Sequence, residues 1–242
     1  MRTKLVVILS LLVVLVAAVS AFAQDRETVT NPTVQTSTVH RFADASQVDG
    51  AYARLSRYEN GVTMAITTND LTPGEAYTVW WVVFNAPENC SNGVCNEDDI
   101  FAVSEGGIPR DADGNILWDV WEARRWSTEA GIPRDEAGNR VMNMDGIAAA
   151  NISVQHASGT YTADGQLTVS ASLAEGDVPG IVFGPGLLDA QTAEIHLVVR
   201  THGPAVDDVF ADQVSTFGGG CDPMDAYPCD DIQFAMFAPV TN

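Results

Sequence analysis

The chain has 242 residues, with 12 Lys or Arg against 32 Asp or Glu and a formal net charge of −20. Such a surface repels nucleic acid and anionic membrane alike, which excludes DNA binding and favours a soluble, monomeric state.

The N-terminus reads as a secretory signal. Arg2 and Lys4 precede an apolar run from Leu5 to Ala18, and Ala21-Phe22-Ala23 supplies the small residues of a cleavage site. The run is too short to span a bilayer comfortably, and no cysteine follows it for lipid attachment. Removing residues 1–23 leaves 219 residues whose only cations are ten arginines, with a formal charge of −22. The expectation is a secreted or periplasmic protein that makes no stable membrane insertion after cleavage. Its partner would be an unknown extracellular ligand or protein, not nucleic acid.

The mature chain opens on a polar segment and first strand at about 24–49. A single β-sandwich domain is expected to fill 50–242, with a loop-rich insertion at about 101–146. AYARLSRYENGVTMAITTND predicts a hairpin, two alternating runs around Asn60-Gly61. LTPGEAYTVWWVVFN follows with a Pro-Gly turn and then a run from Ala76 to Phe84 that is apolar on both faces, the pattern of a central, covered strand. Further strands are expected in IAAANISVQHASG, in GQLTVSASL after a turn at Asp164-Gly165, in AEIHLVVRTH and in DIQFAMFAPV. Only VWEARRW and GPGLLDAQT look helical. Short strands separated by glycine-rich turns predict an all-β, antiparallel β-sandwich.

Four cysteines lie in two tight pairs, Cys90 with Cys95 and Cys221 with Cys229. Three connectivities satisfy four cysteines; the two local bridges are the simplest, and export favours disulfides over metal thiolates.

The insertion carries a repeat, GIPRDADGN at 107–115 and GIPRDEAGN at 131–139. Counted as a calcium loop, the first copy offers Asp111, Asp113, Asn115, Asp119 and Glu122, oxygen ligands at alternate positions. Ile116 stands where such a loop needs glycine, so turn chemistry competes with metal binding. Calcium is the only cofactor indicated. Trp118, Trp121 and Arg125 form a second candidate, a stacking platform or a lid over the end of the fold.

AEIHLVVRTHGP is the third candidate. On a regular strand Glu194, His196, Val198, Arg200 and His202 share one face, read as polar and external, while Ile195, Leu197 and Val199 face the core. His196 and His202 are six residues apart, too far along one strand to share an ion. A polar strand face is the expectation.

LTPGEAYTVWWVVFNAPENC, AEIHLVVRTHGP and the STFGGGC…PC ending resemble an uncharacterised family of secreted bacterial β-sandwich proteins. LTPGEAYTVWWVV is also similar to the L-x-PG-x-x-Y-x-V strand of CHRD-type domains. The resemblance covers most of 50–238 outside the insertion. It implies an Ig-like or CHRD-like sandwich and carries no activity. CHRD domains often have His-x-His in this strand, and TVWWVVF lacks it.

No nucleophile elbow, H-E-x-x-H or P-loop is present, so no catalytic residue is assigned. The reading is a non-catalytic protein with a binding or structural role. A calcium-dependent module ordered through 107–146 is the alternative, and a secreted hydrolase comes after it.

Overall fold

The computed structural model describes residues 32–93, 95–101, 142–221 and 229–240. Within them nine strands form one antiparallel sheet, ordered β6-β3-β2-β1-β9-β8-β4-β5-β7. In chain order the strands are β1 (Thr33–Arg41), β2 (Gln47–Tyr58), β3 (Gly61–Thr68), β4 (Glu75–Phe84) and β5 (Ile152–Tyr161). They continue with β6 (Leu167–Ala174), β7 (Ile181–Phe183), β8 (Glu194–Pro204) and β9 (Asp230–Phe237). The all-β expectation holds. The two separate layers of a sandwich are not seen: the strands belong to one hydrogen-bonded sheet curled into a half-barrel.

Alternation builds the concave side. In β2, Ala51, Ala53, Leu55 and Arg57 are buried while Tyr52 and Arg54 are exposed. Val62, Met64 and Ile66 of β3 join Tyr77, Val79, Trp81 and Val83 of β4 and Ile195, Leu197 and Val199 of β8 in one core. The hairpin forms where expected, but its turn is Glu59-Asn60, because Tyr58 already pairs with Gly61. Gly61 is needed for closeness instead: a Cβ there would stand 2.7 Å from the Leu173 carbonyl oxygen.

The turn at Asp164-Gly165 also forms, yet the strands it links are not partners. β5 pairs with β4 and β7, whereas β6 pairs with β3 at the other edge. The chain passes from one margin of the sheet to the other, and β5 and β6 come into contact without pairing. This crossing requires the curl.

Arg57 closes one end of the concave core. Its guanidinium is 1 % exposed and donates to the carbonyls of Ala190, Ala193, Phe237 and Ala238 and to Gln35 Oε1. Burial pulls its pKa down to about 10, so it stays cationic at neutral pH.

The central run of β4 is covered on both faces, as its composition predicts. Its second face, Trp80, Val82 and Phe84, joins Ile152, Val154, Val198, Phe234 and Phe42 in a convex-side core. That core is roofed by short segments the sequence pattern does not announce. One holds the Cys90–Cys95 disulfide and a helical turn, α1 (Glu97–Ile100); the other is α2 (Met144–Ala149). IAAA, expected as strand, therefore lies mostly in α2 or just past its end, with Asn143 capping the Gly146 amide. GPGLLDAQT is not a helix: Asp189 Oδ1 accepts from the amides of Gln191 and Thr192, which makes a turn. A third helical turn, α3 (Phe210–Gln213), precedes the second disulfide, Cys221–Cys229. Among the described residues no helix is long and apolar enough to cross a membrane.

Candidate functional site

The convex face of β4, β5, β8 and β9 holds a pocket of about 210 Å³. Strand periodicity places its floor: Trp80, Val82 and Phe84 alternate on β4 and meet Val154 of β5, His196 and Val198 of β8, and Phe234 of β9. Phe42 lies tilted against Phe234 with ring centroids 4.8 Å apart, and Phe217 meets Trp80 edge-on at 5.1 Å.

The roof is held by buried polar chemistry. Asp99 Oδ1 accepts from the Ser91 amide and hydroxyl, both at 2.7 Å, and its Oδ2 accepts from the Asn96 amide at 3.0 Å. Asn96 in turn caps the Asp98 amide at 2.8 Å. The Cys90–Cys95 bridge fixes the same loop, with its Cα atoms 5.0 Å apart. Asn143 ties α2 to α1 by donating to the Asp98 carbonyl at 2.6 Å. Phe101 and Met142, paired in an isolated bridge, stand at the pocket edge.

β8 departs from its expected role here. The face carrying Glu194, His196, Val198, Arg200 and His202 is a wall of this covered side, not a solvated exterior. The reason is its neighbour: the Trp80, Val82 and Phe84 face of β4 is too apolar to leave in water, and β8 lies beside it. Glu194 Oε1 accepts from His196 Nε2 at 2.7 Å, with His196 only 7 % exposed and tilted against Phe84 at 4.8 Å. Arg200 Nη1 donates to Asp231 Oδ1 at 2.7 Å while its guanidinium lies 4.1 Å over the Phe217 ring.

His202 occupies separate surroundings. Trp80 Nε1 donates to Thr78 Oγ1 at 2.6 Å; because the Gly219 carbonyl can only accept from the other ring nitrogen, Nε2 of the neutral His202 ring accepts from the Thr78 hydroxyl at 2.8 Å. His202 Nδ1 then carries the ring hydrogen and donates it to the Gly219 carbonyl at 2.8 Å. Burial lowers the pKa of this ring. The sulfurs of Cys229 and Cys221 lie 3.3 and 3.7 Å from Nδ1, the kind of cluster that can hold a metal. With the sulfurs joined in a disulfide and Nδ1 committed to Gly219, these atoms have no lone pairs of the kind a soft metal requires. His196 and His202 do not converge on one site, as their spacing predicts.

The remaining histidines are structural. His40 bonds Thr38 Oγ1 and the Ala45 carbonyl, and His156, in phase with Ile152 and Val154, meets Trp80 edge-on and donates to the Val214 carbonyl at 3.0 Å. A second, polar depression of about 440 Å³ involves Arg41, Asp70, Glu75, Tyr77 and Thr201. Its groups are mutually engaged: Arg41 pairs with Asp70, and Glu75 Oε2 accepts from Tyr77 and Thr201. Burial, with the bond to Glu75, pushes the Tyr77 pKa up to about 12, which keeps it a hydrogen-bond donor and not a nucleophile.

Asp111, Asp113, Asn115, Asp119 and Glu122, with Trp118, Trp121 and Arg125, lie outside the described residues. The sequence reading missed Phe42, Phe217 and Phe234 as site residues. A signal was present in TVWWVVF: a strand apolar on both faces requires a second cover, and a cover of short loops can leave a gap.

No protein family, curated protein or solved structure matches this chain. The likeness to CHRD-type domains therefore rests on the quoted motifs.

Proposed function

We propose that this is an exported, non-catalytic binding protein that holds a small apolar molecule in the pocket on the convex face of β4, β5, β8 and β9. The observation that carries the reading is the pocket wall itself. Aromatic and aliphatic side chains make nearly all of it, and the Glu194–His196 hydrogen bond and the Arg200–Asp231 ion pair stand at its sides. Preformed apolar concavities with a few placed polar groups are the ordinary form of small-molecule sites. Export is supported by the N-terminal signal pattern and by two disulfides, bonds that persist in oxidising compartments. The acidic balance of the chain argues against an anionic ligand and against nucleic acid.

The test is a calorimetric titration of the mature chain, residues 24–242 expressed with its disulfides, against small aromatic hydrocarbons such as toluene and para-xylene. Saturable binding with a dissociation constant near or below about 0.1 mM, about −5.5 kcal/mol, is expected. Val198→Phe, which fills the pocket from its floor, should abolish it while leaving the thermal transition cooperative. Absence of saturable binding by the folded wild-type chain would overturn the reading.

A further inference from the structure

We infer that the ligand of this pocket is a small neutral alcohol or phenol, an apolar body bearing one hydroxyl, and that His196 recognises the hydroxyl as a hydrogen-bond acceptor. The inference rests on the pocket being a binding site, as proposed above.

The Glu194 carboxylate only accepts, so the 2.7 Å contact with His196 places the ring hydrogen on Nε2. In the neutral ring, Nδ1 then carries a lone pair and no hydrogen. That nitrogen has no hydrogen-bond partner among the described residues, although His196 is 7 % exposed and lines the pocket. The other three histidines each commit their rings to partners in the fold, and His202 and His40 use both nitrogens. A ligand that supplies a donor to this nitrogen gains a hydrogen bond that the fold leaves unmade.

Size and charge narrow the ligand further. An apolar cavity of about 150 Å³ accepts benzene, so about 210 Å³ suits one ring or a short branched chain with a substituent. A carboxylate ligand would bring acceptors to an acceptor, and its charge would lose its hydration among Phe42, Trp80, Phe84 and Phe234. An ammonium would donate, but its desolvation among Phe42, Trp80, Phe84 and Phe234 opposes entry. A neutral hydroxyl meets both conditions.

The experiment compares para-cresol, its methyl ether and para-toluate, near-isosteric rings that differ in their polar group, titrated into residues 24–242 at about pH 8. The cresol should bind about tenfold more tightly than the ether, the effect of one net hydrogen bond, and the toluate should not bind. In His196→Phe, which keeps an apolar wall against Phe84, the two neutral rings should bind within about twofold of each other. Long-range proton–nitrogen NMR should find the His196 hydrogen on Nε2; finding it on Nδ1 overturns the inference whatever binds. Equal binding of cresol and ether to the wild-type chain would overturn the hydroxyl preference and leave the pocket reading intact. Failure of every ring to bind would overturn both.

Discussion

At the scale of single residues, this protein places polar groups inside and satisfies most of them through backbone carbonyls. Arg57 is the largest case, a cation without a carboxylate in contact, held by four carbonyl oxygens and one side-chain amide. Its lowered pKa lies far above neutral, so it adds no pH dependence there. His202 does add one. Its folded pKa is lowered, chiefly by burial, so above the ordinary value of about 6.5 the ring is neutral in both folded and unfolded chains. As pH falls below that value, the unfolded chain takes up the proton first and stability declines. The decline ends once pH has passed the folded pKa. We expect urea unfolding of the mature chain to show this decline below about pH 6.5, with a slope from this ring of at most about 1.4 kcal/mol per pH unit. His202→Gln should flatten the profile, and an equal slope in the variant would refute the assignment. Trp81 Nε1 and both amide atoms of Gln155, cross-strand neighbours, are buried without hydrogen-bond partners among the described residues.

At the scale of elements, the convex cover depends on backbone meeting backbone. Gly159 lies in β5, just after the irregularity that shifts its register with β4 between Val79 and Trp80. A Cβ on Gly159 would stand 1.8 Å from the Val214 carbonyl oxygen, and backbone cannot yield as a flexible side chain would. The same carbonyl accepts from His156, so the end of α3 is held against β5 at this point. Gly159→Ala should cost about 2–4 kcal/mol by forcing that segment off the sheet, on the scale of an overpacked core site. A melting temperature within about 1 °C of wild type would mean that the segment moves freely. Such a result would remove the packing by which Phe217 reaches Trp80.

At the scale of the whole molecule, charge dominates. Ten arginines cannot neutralise the 32 carboxylates of residues 24–242. Self-repulsion of a surface with this balance opposes the compact state and is screened by salt. Raising sodium chloride from about 10 mM to about 500 mM, which shortens the screening length several-fold, should therefore stabilise the fold by about 1 kcal/mol or more, a rise of about 3 °C in melting temperature. The opposite outcome, a fall with salt, would mean that ion pairs such as Arg41–Asp70 and Arg200–Asp231 outweigh the repulsion.

Local pattern was enough to recover several features of the fold. Alternation in AYARLSRY separates inward Ala53, Leu55 and Arg57 from outward Tyr52 and Arg54, because side chains on a strand must alternate. Close spacing in sequence brings Cys90 to Cys95 and Cys221 to Cys229, and the double-faced composition of TVWWVVF marks a strand covered twice. Strand order was not legible, because a turn such as Asp164-Gly165 reverses the chain without specifying which edge the next strand joins. Nor was the character of the β8 face. Glu194, His196, Arg200 and His202 read as solvated because polarity is a property of residues, whereas burial is a property of neighbours. Beside Trp80 and Phe84, and beneath the disulfide loop and α1, His196 and Val198 of that face became part of a pocket wall, and His202 was buried in surroundings of its own. Each ring could keep its polarity there only by finding a partner. His202 finds two, and His196 finds Glu194 at one nitrogen only.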